Sequence, residues 1–228
     1  MKILALTTCS AYCSVAIQDQ QHIVSRVQQT KGGGHSDHLL SMIEACLNET
    51  ATHISTLDAI ALSCGPGAFT GLRIGIGVAQ GLAFAHDIAV VPISSLKVVA
   101  YQAGQQFGPG NYAVAVDARM GEIYSAQYYV QDHELLCIED EKVGEPTAFL
   151  PHNDQSYYGV GTGWAVYHDI LAGQFEQQLL TSDTTINPTA QGVLALAYHA
   201  IARGETVSAE QVLPTYLRNN VAKKQTEQ

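Results

Sequence analysis

Residues 65–81 read GPGAFTGLRIGIGVAQG. A glycine-rich loop that runs into an apolar helix has two physical readings: a cradle for phosphate, or a helix surface kept small so that another backbone can come close. A phosphate loop of the Walker type needs a lysine and a hydroxyl residue after its last glycine, to neutralise the distal phosphates and meet the magnesium. Leu72 and Arg73 follow Gly71 here. The dinucleotide fingerprint also fails, because Gly65, Gly67 and Gly71 are spaced GxGxxxG and no acidic residue follows at the expected strand end. What remains for a ligand is the general affinity of a helix N-terminus for anions.

The second reading starts from cost. Gly71, Gly75, Gly77 and Gly81 stand in or at the start of one helix, and each destabilises it by about 1 kcal/mol relative to alanine. Something must offset that. At four-residue spacing Gly71, Gly75, Ala79 and Ala83 form one small row, with Gly77, Gly81 and Ala85 beside it, a surface on which a second element can pack at short range. Leu72, Ile74, Ile76, Val78 and Leu82 make the rest apolar, so the helix is expected to be buried nearly all round. Burial in its own core and burial against another chain both satisfy the pattern.

Working outward, KILALTT, CSVAIQ and HIVSRVQQT alternate as strands separated by polar turns, which predicts an antiparallel meander. HSDHLLSMIEACLNET places Leu39, Leu40, Ile43, Cys46 and Leu47 on one face of a helix. LDAIALSC reads as a strand buried on both faces, the glycine helix as residues 71–85, IAVVPIS as a further strand, and SLKVVAYQAGQQ as a helix capped by Ser94 or Ser95. FGPGN at 107–111 is a linker by its turn chemistry. Beyond it YAVAVDA, EIYSAQYYV and ELLCIEDEKV repeat the three-strand opening, and LALT to SVAI has the same spacing as VAVD to YSAQ. SYYGVG is then a short strand, and helices are expected after Trp164 and over about 188–203. The economical reading is α/β, two related halves that each carry a mixed sheet, over residues 1–106 and 111–228.

Composition narrows the function. Lys and Arg number 11 against 21 Asp and Glu, a formal charge of −10, the wrong sign for a chain that binds nucleic acid by itself. Basic residues gather only in the tail, at Arg218, Lys223 and Lys224. No run of about 18 apolar residues exists, and the polar start is unlike a signal peptide, so a cytoplasmic protein without a membrane span is expected. Five cysteines without metal-type pairs read as free thiols. His35 and His38 are three apart with no third ligand suggested, so no metal is expected. Thr7, Thr8 and Ser10 could meet a phosphate or simply enter a hairpin turn. Asp117, Arg119 and Glu122 could be catalytic or an ion-pair network that holds a hairpin, the latter preferred. GVGTGW at 159–164, with Gly161 and Gly163, could abut an adenine or let Trp164 pack. There is no nucleophile elbow, HExxH or CxxC.

The blocks KILALTTCSAYCSVAI, GPGAFTGLRIGIGVAQGLA, VAVDARMGEIYSAQYY, VGTGW and PTYLRNNVAKK resemble, in order and over nearly the whole chain, the signatures of the TsaB (YeaZ) family. The resemblance implies two ribonuclease H-like lobes of the actin-like ATPase (ASKHA) superfold. It implies work in making threonylcarbamoyladenosine beside the anticodon of tRNAs that read codons beginning with adenine. The role implied is a non-catalytic scaffold that binds the catalytic paralogue TsaD together with the ATPase TsaE, forms a homodimer when alone, and reaches tRNA through the complex. The interface it implies lies on the two helices of the first lobe, with His38, Met42, Ala45, Gly71, Leu72, Ile74, Gly75, Val78, Ala79 and Leu82 as its residues.

Candidate nucleotide contacts are Thr7, Thr8, Asp117, Arg119, Gly161 and Gly163, with Arg218, Lys223 and Lys224 as candidate tRNA or partner contacts. Thr7 stands where relatives carry Asp, which argues against ATP hydrolysis by this chain alone. No cofactor of its own is therefore expected, with ATP entering at the level of the complex. The alternative class is a self-sufficient actin-fold ATPase or small-molecule kinase. The peptidase label attached to some relatives finds no support in these residues. A leucine at Gly75 or Ala79 is expected to block helix approach and leave the fold intact.

Overall fold

In the computed structural model, residues 1–20, 22–30, 34–132 and 134–218 are described. Alternation in the opening residues produces β1 (Lys2–Thr7), β2 (Tyr12–Asp19) and β3 (His22–Gln29), paired antiparallel in sequence. The amphipathic helix α1 (His35–Glu49) then returns the chain to β4 (Ala59–Gly65), parallel to β1 and buried throughout. The glycine helix α2 (Phe69–His86) leads to β5 (Ala89–Ser94), parallel to β4. The sheet order is β3-β2-β1-β4-β5.

The second half repeats that plan. β6 (Gly110–Arg119), β7 (Glu122–Gln131) and β8 (Glu134–Gly144) form an antiparallel meander, and β9 (Tyr157–Val160) and β10 (Leu179–Asp183) add in parallel beside β6. Its order, β8-β7-β6-β9-β10, is that of the first sheet strand for strand. Two ribonuclease H-like sheets in tandem are the two-lobed arrangement of the actin-like ATPase superfold. β10 is the strand that the sequence reading missed: LLTSD is short, its leucines are adjacent, and only its pairing with β9 makes it a strand.

Period-two alternation sends Leu4, Leu6, Ile60 and Leu62 to one face of the first sheet, where they pack with Leu39 and Ile43 of α1 and Ile76 and Ala79 of α2. Ile3, Ala5, Ala59 and Ala61 go to the other face. That face is covered from the far end of the sequence, by Ala190, Val193, Leu194 and Ala197 of α6 (Ala190–Ala202). In exchange α3 (Ser95–Phe107), which follows β5, sets Leu96, Val99 and Ala103 against Tyr112, Val114 and Tyr128 of the second sheet. A partition at residues 106 and 111 therefore follows the strands and not the helices, since each half's last helix covers the other half's sheet. On the remaining face of the second sheet, α4 (Gly163–Val166) and α5 (His168–Phe175) bring Trp164, Leu171 and Phe175 against Tyr157 and Phe149.

Local chemistry explains the ends. Ser94 is the cap of α3, its hydroxyl accepting from the N–H groups of Leu96 and Lys97 at 3.1 and 3.3 Å. The same hydroxyl donates to Glu141 of β8, which also accepts from the buried Tyr128 hydroxyl at 2.9 Å, so the cap of α3 is tied to the second sheet. The β6–β7 turn carries φ of 62° at Arg119, 59° at Met120 and 83° at Gly121. Positive φ at Met120 and Gly121 is the type I′ conformation whose twist suits a two-residue hairpin.

Candidate functional site

The two small rows of α2 have different fates. Gly71, Gly75, Ala79 and Ala83 are buried against the chain's own first sheet. A Cβ on Gly71 would run into the Thr8 carbonyl oxygen, and one on Gly75 into the Thr8 hydroxyl. The glycines of this row are what lets the end of β1 lie against the helix. Gly77 and Gly81 are exposed, with open space where a Cβ would stand. Phe84, 71% exposed, extends that outer face. The helix is thus not buried all round: one small row lies in the core and the other faces solvent.

The residues of the expected interface differ in their exposure. Met42, Gly71, Leu72, Gly75 and Ala79 lie in the chain's own core, because a helix on a sheet turns its smallest row inward. Ala45, Ile74, Val78 and Leu82 are half-buried and His38 is exposed. Leu40, expected on the buried face of α1, is 57% exposed. Leu40, Ile43 and Leu47 of α1 meet Leu82 of α2 across a shallow groove of about 340 Å³. A leucine at Gly75 would break the fold before it tested any contact; Gly77 and Gly81 are the positions that present themselves.

Between the two sheets lies a cleft of about 580 Å³, walled by the β1–β2 turn at Cys9, Ser10 and Ala11, the loop before α2, and the end of β6. Thr7 and Thr8 are not on its surface. Both are buried, Thr8 Oγ1 donating to the Gly71 carbonyl at 2.7 Å and Thr7 Oγ1 lying 3.2 Å from Cys9 Sγ. Burial pushes the Cys9 thiol up from its ordinary value, and the Cys64 thiol up to about 12, by burial first and by its neighbour Cys9 second. Both thiols are buried.

Asp117 and Arg119 do reach the cleft, but face each other. Arg119 donates its backbone N–H to Asp117 Oδ1 at 2.9 Å, and its Nη1 lies 3.1 Å from Oδ2. Asp117 donates its own N–H to Thr162 Oγ1 at 3.2 Å. Gly161 and Gly163 answer to the β6 backbone: Cβ atoms there would stand 2.6 and 2.9 Å from the Ala115 carbonyl oxygen. With Gly159 they let Trp164 lie flat on the sheet, its Nε1 donating to the Ala113 carbonyl at 2.9 Å. Thr162, between the two glycines, is the residue of that turn that lines the cleft.

Arg218, read from sequence as part of a basic tail, is turned inward. It donates to the carbonyls of Ala118 and Arg119 at 3.1 and 3.4 Å and to the Glu122 carboxylate. Lys223 and Lys224 lie outside the described residues. Among the described residues the charged side chains on the cleft are thus paired, Asp117 with Arg119 and Arg218 with Glu122. His35 and His38 do not converge: His35 is buried, its Nε2 3.4 Å from Thr30 Oγ1, and His38 is exposed. Among the described residues no group of three or more His, Cys, Asp or Glu is placed to hold a metal ion, and no helix is long and apolar enough to cross a membrane.

Comparison with known proteins adds family. The sequence model of TsaD, tRNA N6-adenosine threonylcarbamoyltransferase, matches residues 23–226. The tRNA threonylcarbamoyladenosine biosynthesis protein TsaB of Escherichia coli is 34% identical over 97% of this chain and 96% of its own length. The protein of the same name from Haemophilus influenzae is 35% identical over 97% and 95%. The solved structure of YeaZ from Pseudomonas aeruginosa superposes with a TM-score of 0.88 at 39% identity, covering 95% of this chain and 99% of that one.

Proposed function

The chain belongs to the TsaB family of tRNA threonylcarbamoyladenosine biosynthesis proteins, and we propose that within that pathway it is a non-catalytic scaffold that works by helix contact. The observation that carries the proposal is the open row of Gly77, Gly81 and Ala85 on the outer face of α2. Two glycines that serve no internal contact cost the helix about 2 kcal/mol relative to alanine. A partner helix that packs into the row, with Phe84 and the groove between Leu40 and Leu82 beside it, offsets that cost. The partner in this reading is a TsaD-like catalytic paralogue, joined by a TsaE-like ATPase. A second copy of the chain takes the same face when the paralogue is absent. The chain holds no cofactor, ATP belongs to the complex, and tRNA is reached through the partners, in keeping with a charge of −10.

The test is Gly77→Leu with Gly81→Leu. Both side chains enter open space and improve helix propensity, so the fold should hold while close helix approach is blocked. Capture of the paralogue should be lost, and cells depleted of the wild-type chain should fail to recover modified tRNA when given the variant. Undiminished capture and modification would sink the proposal.

A further inference from the structure

The end of the described chain, residues 209–218, runs as a strap over α2 and across to the other sheet. At its start the carbonyls of Ala209 and Val212 each accept from Gln80 Nε2 at 3.1 Å. Thr215 then donates its N–H to the carbonyl of Cys64, at the end of β4, at 2.8 Å. Tyr216 lays its ring 5.8 Å from that of Phe69, and its hydroxyl accepts from Arg73 Nε at 3.0 Å. The Arg73 guanidinium in turn sits 3.6 Å over the Phe69 ring, a cation–π contact on the first turns of α2. Two residues later Arg218 grips the β6–β7 turn of the second sheet through Ala118, Arg119 and Glu122, with Met120 Sδ 3.6 Å away.

This joint has a mechanical position. The sheets are already joined on one side through α3, its cap Ser94 held by Glu141. Arg218 joins them again at the cleft, which both it and Phe69 line. A rotation of the sheets about the α3 side cannot open the cleft without pulling the Arg218 guanidinium from the turn. At 17% side-chain exposure the Arg218 end of the pair is shielded, so its bonds are worth more than those of a surface ion pair.

We propose that residues 212–218 are a clasp that sets the opening of the inter-lobe cleft and couples it to α2 through Arg73 and Tyr216. A change at the surface of α2 then reaches the β6–β7 turn through the strap.

The test is hydrogen–deuterium exchange on the isolated full-length chain, read at the amides of residues 118–122 against those of β9. Arg218→Gln should accelerate exchange in the turn by about tenfold relative to β9, and Arg218→Lys by less. Arg73→Gln, which removes contacts to Phe69 and Tyr216, should accelerate the same amides. The double variant should add little to Arg218→Gln alone, as for residues acting in one chain of contacts.

Labels at Cys137, the exposed one of the five cysteines, and at Asn48→Cys on α1 should report a broader distance distribution in both single variants. An Arg73→Gln protein with wild-type exchange in the turn would overturn the coupling. Unchanged exchange in Arg218→Gln, or a rise that is equal in β9 and the turn, would overturn the clasp.

Discussion

The hydroxyl of Thr8 donates to the carbonyl of Gly71 at 2.7 Å, and the Thr8 carbonyl occupies the place where a Gly71 side chain would begin. One residue after β1 thus meets the first turn of α2 backbone to backbone. Substitutions along the helix should therefore split by row. Gly71→Ala is expected to destabilise the protein by about 2 kcal/mol or more, as overpacking against backbone does. Gly81→Ala should stabilise it by about 0.5–1 kcal/mol, through helix propensity alone. Urea midpoints of the two variants decide the matter; equal effects would mean that the rows are not distinguished as described.

His35 should make stability depend on pH. Its imidazole is buried, and burial lowers its pKa below the ordinary 6.5, against a smaller opposing effect of the Ser10 backbone and with the nearby His38 adding to the shift. The unfolded chain then binds a proton that the folded chain refuses. Stability due to this residue is complete above about pH 6.5 and is lost as pH falls below it, levelling off beneath the folded value. His35→Gln should flatten that part of the pH profile of the urea midpoint between about pH 7 and 5. An identical slope in variant and wild type would place the dependence elsewhere.

Removing the Glu141 carboxylate should be costly out of proportion to its exposure. Tyr128 is fully buried, its pKa raised by burial and by the adjoining carboxylate, and its hydroxyl donates to Glu141. Glu141→Ala leaves that hydroxyl and the Ser94 hydroxyl without their acceptor, a loss of about 2–3 kcal/mol. Glu141→Gln, which keeps an acceptor oxygen, should lose about half of that. Thermal unfolding of the pair gives the comparison.

Tight packing should be just as sharp around the single tryptophan. A Cβ on Gly159 would stand 2.6 Å from the Trp164 ring. Gly159→Ala should therefore cost about 2 kcal/mol and shift Trp164 emission to the red as the ring is pushed from its buried place. Unshifted emission with undiminished stability would contradict the packing described.

What was legible in the sequence was whatever depends on local period. The two meanders, β4, β5 and the helices α1, α2 and α3 follow from alternation, from unbroken apolar runs and from a serine cap, and the repeat of the first meander in VAVD and YSAQ foretold the matching sheet orders. What was not legible depends on pairing at a distance. No spacing in PTYLR shows that Arg218 will turn toward Glu122, which is 96 residues away. Nor does any spacing show which of two adjacent glycine rows faces the sheet, since both rows read alike until Thr8 is in place. Thr7 and Thr8 looked like cleft residues because they end a strand; the cleft is reached one residue later, at Cys9 and Ser10. The paired Asp117 and Arg119 were the part of the candidate site that spacing did suggest, as an ion pair two residues apart.

The exchange of α3 and α6 bears on how the chain is made. Ile3, Ala5, Ala59 and Ala61 leave the ribosome more than a hundred residues ahead of the helix that covers them, Ala190–Ala202. Until that helix is made the first sheet must wait with one apolar face bare, although its other face can close early under α1 and α2. A truncation placed at the 107–111 turn would take from each sheet the helix that covers one of its apolar faces.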